Sequence, residues 1–243
     1  MRHWLMKSGM RQFHLLIYLL FLGGVSACEQ TVEADGDLLG FNYFPLEIGQ
    51  FVSYQVEVER YNVDGEVAVE SYQLQERITD TFTDISGRTT YVVERYRRPN
   101  ETATWQIDSV WSAVQNGRQA IRTENNLDFV KLVFPLEAGL SWDGNVFNAL
   151  GEQIYRLQNY RDPLTLNDLN FMRTLQVVQV DDSSLVTRLK RVETYAEDVG
   201  LIDLDFTNVR YRSEGEFLGQ GIIEFGTIYR QKVIDYGKNE PQE

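Results

Sequence analysis

The chain has 243 residues, of which 43% are hydrophobic and 12% aromatic, and its formal net charge is −13 at pH 7. An acidic protein is repelled by phosphate backbones, so this charge argues against nucleic-acid binding. Both histidines, His3 and His14, and the single cysteine, Cys28, lie at the N-terminus. Chemistry that depends on histidine or cysteine therefore has few residues to use in the rest of the chain.

The first 27 residues have the organisation of a secretory signal peptide. A basic segment with Arg2, Lys7 and Arg11 precedes an apolar run at residues 13–25, and small residues end the segment. A helix that spans a bilayer needs roughly 20 apolar residues, and this run is shorter. We therefore predict that residues 1–27 are a cleaved signal peptide and not a transmembrane anchor.

The segment Val25-Ser26-Ala27-Cys28 resembles the lipobox of bacterial lipoproteins. The resemblance implies that the Cys28 thiol receives diacylglycerol, that cleavage makes Cys28 the first residue, and that its amine is acylated. Several acyl chains, at about 0.8 kcal/mol per buried CH₂, would hold the protein at a membrane. The alternative is an ordinary signal peptide that contains a cysteine. Glu29 favours sorting to the outer membrane, and it leaves the periplasmic face and the cell surface both open.

The predicted mature chain lacks the residue types of several enzyme classes. Three of the 23 basic residues leave with the signal, so 20 remain against 36 acidic residues, a net charge of −16. No histidine remains and Cys28 is used by lipid, which excludes Ser-His-Asp and Cys-His catalysis and His- or Cys-ligated zinc in their usual forms. Paired carboxylates could still form a glycosidase, but 36 acids make some pairs inevitable. We predict no enzymatic activity, no catalytic residue, no metal and no cofactor.

From residue 42 onward the sequence reads as a series of short strands. Period-two alternation and β-branched or aromatic residues mark the strands, and segments such as 62–65, 84–87 and Asn116-Gly117 mark the turns. Strands are predicted at residues 51–60, 67–78, 89–96, 102–114, around 140 and 146, 153–160, 174–180, 185–195, 201–211 and 227–236. One helical turn is predicted within residues 161–170.

This pattern predicts an all-β fold. About ten to twelve strands in an antiparallel meander would form either a curved half-barrel-like sheet or a sandwich. The predicted organisation is a signal peptide at 1–27, a lipidated cysteine and flexible tether at 28–41, a single β domain at 42–238 and a disordered tail at 239–243.

Two short segments of the chain are nearly identical. Residues 44–50 read Phe-Pro-Leu-Glu-Ile-Gly-Gln, and residues 134–140 read Phe-Pro-Leu-Glu-Ala-Gly-Leu. Proline fixes φ before a strand, and glycine can adopt the turn that follows. Independent use of the same strand-entry turn is the favoured interpretation, and an internal duplication is the alternative.

The first of these segments carries a family resemblance. Phe44-Pro45-Leu46 with Gly49 resembles the FPL-x-x-G-x-x-W-x-Y opening of uncharacterised Gram-negative envelope lipoproteins, although Val52 stands where that pattern has tryptophan. Residues 195–202, Tyr-Ala-Glu-Asp-Val-Gly-Leu-Ile, are similar to the Y-A-x-x-V-G-L-V segment of the same proteins. The resemblance implies a curved antiparallel sheet like the half-barrels of Lol-type lipoprotein carriers, and it implies no catalytic residues.

Three apolar residues on one predicted strand are candidates for the wall of a ligand cavity. Alternation places Trp105, Ile107 and Trp111 on one side of that strand, although burial in the core is the simpler interpretation. Residues 181–184 lack the ligand spacing of a calcium loop. Asp108-Ser109-Val110 matches a short O-glycosylation consensus, which leaves glycosylation of Ser109 open.

The sequence therefore predicts a membrane-anchored envelope lipoprotein whose domain binds and does not catalyse. The favoured ligand is apolar or extended, either a lipid or a peptide. The alternative is an accessory or scaffold subunit of an outer-membrane protein complex.

Overall fold

The structure, a computed structural model, describes residues 36–239. The predicted signal peptide, the lipobox residues Val25, Ser26 and Ala27, and Cys28 lie outside the described residues, as do residues 240–243. Within the described part, no helix has the length and apolar character needed to cross a membrane.

The described chain is built almost entirely of strands. Its short helical elements are α1 (Gly36–Leu39) and two 3-10 turns, η1 (Phe41–Tyr43) and η2 (Gly215–Phe217). The strands are β1 (Gln50–Tyr61), β2 (Val67–Thr83), β3 (Thr89–Arg98), β4 (Gln106–Gln115), β5 (Gln119–Glu124), β6 (Leu127–Val133), β7 (Ser141–Asp143), β8 (Ile154–Leu166), β9 (Leu169–Ser183), β10 (Thr187–Ala196), β11 (Gly200–Tyr211) and β12 (Ile223–Lys238).

The twelve strands form one antiparallel sheet in the order β6-β5-β4-β3-β2-β1-β12-β11-β10-β9-β8-β7. The sheet curves until its edge strands meet: the Val130 backbone N–H donates to the Gly144 carbonyl at 2.9 Å. The Trp142 indole N–H donates to the Val130 carbonyl at 2.8 Å across the same seam. The all-β prediction is confirmed, and of its two forms the chain adopts the curved sheet that nearly closes on itself.

The two Phe-Pro-Leu-Glu segments occupy equivalent places in this sheet. Residues 44–50 precede β1 and residues 134–140 precede β7, with φ of 91° at Gly49 and 81° at Gly139. Within each half of the chain, β1–β6 and β7–β12, strands that are consecutive in sequence are neighbours in the sheet. A continuous meander shows this order wherever it is divided, and the corresponding strands β1 and β7 have 12 and three residues, so independent use of one turn stays the favoured interpretation.

The helical turn predicted within residues 161–170 is wrong. The chain there is the end of β8, a two-residue turn at Asn167 and Asp168, and the start of β9. Asn167 has φ of 52°, a left-handed conformation that asparagine tolerates better than most residues. The leucine-rich spacing of this segment reflects strand residues, which a short window does not distinguish from a helical turn.

The folded domain begins before residue 42. Helix α1 lies within the segment predicted as tether, and the Leu39 carbonyl accepts the Leu136 backbone N–H at 3.1 Å. The Phe41 ring meets Phe134 edge to face, with centroids 4.8 Å apart. The Asn42 carbonyl accepts the Asp198 N–H at 2.8 Å. Residues 36–46 thus pack across one end of the curved sheet, which we call the capped end.

The opposite end of the sheet carries the turns β1–β2, β3–β4, β5–β6 and β9–β10, and we call it the open end. Buried apolar side chains fill much of the interior, and the largest of them include Tyr54, Leu74, Leu132, Leu175 and Ile202. This packing fixes the curvature of the sheet and leaves space inside it towards the open end.

Candidate functional site

A cavity of about 370 Å³ lies inside the curved sheet near its open end. Buried apolar residues such as Val58 and Leu74 form part of its wall. Polar residues close to the turns, including Arg60, Asn125 and Thr227, line the part nearest the open end. Because the strands of both halves contribute side chains, curvature of the whole sheet creates this space.

Eight charged residues around the cavity form an alternating chain of acids and bases, four of each sign. Every link is an ion pair, and two of them, Arg122–Glu124 and Glu193–Arg191, join residues of the same strand. In order, the N···O distances are Asp108–Arg95 3.8 Å, Arg95–Glu76 3.1 Å, Glu76–Arg122 2.5 Å, Arg122–Glu124 3.9 Å, Glu124–Lys131 2.8 Å, Lys131–Glu193 2.9 Å and Glu193–Arg191 3.4 Å. We call this set the ion chain.

The ion chain crosses the interior of the sheet. Lys131 on the edge strand β6 reaches Glu193 on β10, and the Tyr195 hydroxyl donates to the same carboxylate at 2.7 Å. Glu193 and Lys131 are only 1% and 3% exposed. Removing charges from water costs several kcal/mol per ion, so such a chain persists only when every member is paired. The ion pair between Lys131 on β6 and Glu193 on β10 therefore fixes how these two strands face each other across the interior.

The buried acids of the ion chain stay ionised at neutral pH. Burial by itself raises the pKa of Glu193, but Lys131, Arg191 and the hydrogen bond from Tyr195 outweigh it and hold the pKa at about 2. Burial likewise raises the pKa of Glu76, and the neighbouring Arg122 and Arg95 guanidinium groups bring it below its ordinary value. Neither carboxyl therefore carries a proton that it could give to a bound molecule near pH 7.

Two guanidinium groups of the ion chain lie against the Trp111 ring. The central carbon of Arg95 is 3.7 Å from the indole ring centroid, and that of Arg122 is 4.7 Å away. Cation–π attraction of this kind stabilises the indole and both cations. The Trp111 Nε1 and the Arg122 Nε are both buried, and neither has a hydrogen-bond partner among the described residues.

The structure does not bring the three predicted wall residues together. Trp111 lines the cavity, whereas Ile107 is 57% exposed and Trp105 precedes β4, stacked against Arg98 at 4.2 Å. The reason is a β-bulge, because Tyr96 pairs with Ile107 while Arg95 pairs with Ser109. The extra residue, Asp108, reverses the alternation along β4. A role in ligand binding stays a prediction for Trp111.

The sequence analysis missed the residues of the ion chain. It singled out no charged residue on a strand as buried, yet Glu76 lies in the same alternating row as the buried residues Leu74 and Ile78. The sequence signal for its burial was that Glu76 occupies a position where the strand alternation places buried apolar side chains.

No three metal-ligating side chains cluster within residues 36–239. In the acidic segment at 181–184, Asp181 instead forms an ion pair with Arg188 at 2.6 Å.

Comparison with known proteins identifies no family. No family model matches the chain, and no curated protein matches it. A Bacteroides fragilis structure whose name describes an exported protein with a YmcC-like fold matches at 10% identity and a TM-score of 0.36. It covers 80% of this chain and 98% of its own. A Parabacteroides distasonis structure named as a lipoprotein matches at 12% identity and a TM-score of 0.33, with the same coverage. Similarity this weak assigns no function to the chain.

Proposed function

We propose that the protein is a lipid-anchored envelope protein that binds an extended polar ligand in the cavity at the open end of the sheet, and that it catalyses no reaction. The observation that carries this proposal is the cavity of about 370 Å³ bordered by the ion chain. Its wall is charged and hydroxylated, so the geometry favours a polar ligand over a lipid, which was one of the two ligand classes, lipid or peptide, expected from the sequence. A shallower depression at the open end shares Tyr72 and Asp108 with the cavity, which fits a ligand longer than the cavity.

The state of the acidic groups supports binding over catalysis. A glycosidase needs one carboxyl whose raised pKa lets it donate a proton. The pKa values of Glu76 and Glu193, which line the cavity, are instead lowered, and both acids are held by cations. Burial raises the pKa of Asp203 to about 6, but Asp203 does not line the cavity. The predicted mature chain also supplies no histidine to replace them.

The anchor is proposed from the lipobox at Val25, Ser26, Ala27 and Cys28. Cys28→Ala should abolish metabolic labelling with a fatty-acid analogue and leave unprocessed or soluble protein. Unchanged labelling and membrane retention would refute the anchor. Fractionation of the labelled protein between the inner and outer membranes tests the predicted outer-membrane location, and protease accessibility of whole cells distinguishes the periplasmic face from the cell surface.

Ligand binding is tested by filling the cavity. Thr227 lines the cavity, so Thr227→Trp should reduce the amount of small molecule that native mass spectrometry finds on the purified protein. Thr79→Trp is the matched control, because Thr79 is an exposed residue of β2. Both variants are compared by circular dichroism to confirm the sheet. Absence of any bound molecule on the parent protein, or equal occupancy in Thr227→Trp, would contradict the proposal.

A second candidate function is that of an accessory subunit in an envelope complex. The loop between β7 and β8 favours it, because Val146, Phe147 and Leu150 are 57%, 51% and 61% exposed. Apolar side chains grouped on one loop are typical of contact surfaces. Crosslinking in cells from a photoreactive residue at position 147 tests this role. A single protein crosslinked in stoichiometric amount is expected. Crosslinks to many unrelated proteins would exclude the role of an accessory subunit.

A further inference from the structure

The ion chain ends at two residues that both line the cavity. Asp108 on β4 is one end, and Arg191 on β10 is the other. Each member between them pairs with two partners. Among residues 36–239, Asp108 has one ion-pair partner, Arg95 at 3.8 Å. Arg191 likewise has one, Glu193 at 3.4 Å. The two ends are therefore the least paired members of the ion chain, and they carry opposite charges.

The two ends are also the members that a bound molecule can reach. The Asp108 and Arg191 side chains are 36% and 31% exposed, whereas those of the other members are between 2% and 14% exposed. Arg191 has several N–H donors, and its hydrogen bond from Nη2 to Glu193 is long at 3.4 Å. Asp108 accepts the Ser109 hydroxyl at 3.0 Å and has further lone pairs. Both ends thus keep hydrogen-bonding capacity for a ligand.

Opposite charges at the two ends decide which ligand fits. Five cations and four carboxylates line the cavity. Four of these cations form the ion chain with the four carboxylates, and the fifth, Arg60, is 52% exposed and pairs with Glu70, which does not line the cavity. The ion chain is therefore neutral as a whole. A ligand with one cationic and one anionic group can pair with both ends, whereas a ligand with a single charge can pair with only one. The cavity thus favours a zwitterion.

The positions of β4 and β10 set the distance between the two charges of the ligand. These strands are six places apart in the twelve-strand order, and the edge strands β6 and β7 meet at the seam, so β4 and β10 lie on opposite sides of the curved sheet. Twelve strands about 4.8 Å apart enclose a space roughly 18 Å wide between facing backbones. The two side chains take up part of this width. An extended peptide covers about 3.5 Å per residue, so about two to four residues bridge the rest.

The remaining lining of the cavity suits a peptide. Hydroxyl and amide groups of Tyr72, Asn125 and Thr227 can bond to peptide N–H and carbonyl groups. The aromatic rings of Phe206 and Tyr229 can contact apolar side chains of the peptide. None of these five residues is buried. The cavity volume of about 370 Å³ also falls within the range of sites for small molecules, roughly 300–1,000 Å³.

We infer that the cavity binds a short peptide with free termini, whose ammonium group pairs with Asp108 and whose carboxylate pairs with Arg191. This inference rests on the proposed ligand-binding function and names the class of ligand. The depression next to Tyr72 and Asp108 leaves room for a side chain at the N-terminal end of the peptide. Either end of the ion chain can be neutralised without leaving a buried charge unpaired, because its neighbour, Arg95 or Glu193, keeps a second partner.

Isothermal calorimetry of the mature protein measures the contribution of each terminus of the peptide. The probes are di-, tri- and tetraalanine and the corresponding leucine peptides, each with free termini, with an acetylated N-terminus or with an amidated C-terminus. At least one free peptide should bind, and blocking either terminus should weaken its binding at least about tenfold, because each block removes one charged hydrogen bond. Glycerophosphoethanolamine is a further probe, since a lipid headgroup of this type also carries an ammonium and an anionic group.

Two substitutions show which residue contacts which terminus. In Asp108→Asn, acetylation of the peptide should no longer weaken binding, whereas amidation should still do so. In Arg191→Gln, amidation should lose its effect and acetylation should keep it. Asp182→Asn and Arg210→Gln are the matched controls, because both residues are exposed and neither lines the cavity. Both controls should respond to the two blocks as the parent protein does.

Four results would overturn the inference: no free peptide binds, the blocked peptides bind as tightly as the free ones, glycerophosphoethanolamine binds more tightly than every peptide, or either cavity variant responds to both blocks as the parent protein does. Native mass spectrometry separates these from failure of the proposed function. If the parent protein carries a ligand that is not a peptide, ligand binding stands and the peptide is wrong. If Thr227→Trp changes no occupancy, both fail.

Discussion

Replacing Lys131 by methionine breaks the ion chain where it crosses the sheet. The Lys131 Nζ lies 2.8 Å from Glu124 and 2.9 Å from Glu193. Methionine has a similar length and can fill the same buried space, so the change removes the charge with little loss of packing. Glu193, itself 1% exposed, keeps Arg191 at 3.4 Å and the Tyr195 hydroxyl but loses its nearest cation.

The pKa of Glu193 sets the size of the stability loss expected for Lys131→Met. It is about 2 in the folded protein against an ordinary value of 4.5. That difference corresponds to roughly 3 kcal/mol of stability at pH 7, and breaking a buried ion pair costs about 3–5 kcal/mol. Because the folded-state pKa lies below the unfolded value, this stability is present above about pH 4.5 and is lost as the pH falls through 2. At pH 3 less than half of it remains.

Urea unfolding of the mature chain, made water-soluble by Cys28→Ser, measures both quantities. Lys131→Met should lower the free energy of unfolding by about 3 kcal/mol at pH 7 and by less than half of that at pH 3. Lys238→Met is the control, since Lys238 pairs with Glu47 at 2.7 Å on an exposed surface and should cost less than about 1 kcal/mol. Equal losses in the two variants at pH 7, or a loss at pH 3 as large as at pH 7, would refute the reasoning.

Two further substitutions test the packing and the charges of the sheet. A Cβ at Gly144 would lie 2.2 Å from the Tyr155 ring, so Gly144→Ala should lower the free energy of unfolding, measured in urea, by about 1–3 kcal/mol. Gly117→Ala is the control, because a Cβ at Gly117 meets open space and should leave the free energy of unfolding almost unchanged. Burial raises the pKa of Asp203 from 3.8 to about 6, so its folded form loses stability as the pH rises from about 4 to 6. Asp203→Asn should therefore stabilise the protein at pH 7 by up to roughly 3 kcal/mol and leave it unchanged near pH 3. A gain independent of pH would contradict this.

The strands were predictable wherever turn chemistry marks their ends. The strand predicted at residues 51–60 is β1 (Gln50–Tyr61), and the turn at Asn116-Gly117 separates β4 from β5. Prediction failed at residues 161–170, where a helical turn was predicted in a segment that contains Pro163. In the structure Pro163 lies in β8 beyond the residues that pair with β7, inside the register shift between Asp162 and Leu164. Proline has no backbone N–H to donate to a neighbouring strand, and it is tolerated there because this part of β8 has no partner strand on the side of β7.

The residues of the candidate site were predictable only in part. Trp111 could be proposed from its size and its place on a strand, but the bulge at Asp108 separated it from Ile107. The ion pair of Lys131 and Glu193 joins residues 62 positions apart, and no local pattern connects them. Their burial depends on which strands face each other after the sheet has curved.

The sequence by itself determined the all-β class, because alternation and turn residues act over a few neighbours along the chain. It also predicts the signal peptide and the lipidation of Cys28, which depend on a contiguous segment. Only the tertiary structure decided that the strands form one curved sheet with its edges joined at Val130 and Gly144. That closure buried four charges of the ion chain, on Glu76, Arg122, Lys131 and Glu193, and made the cavity polar, because burial and pairing of a charge depend on residues distant in the sequence.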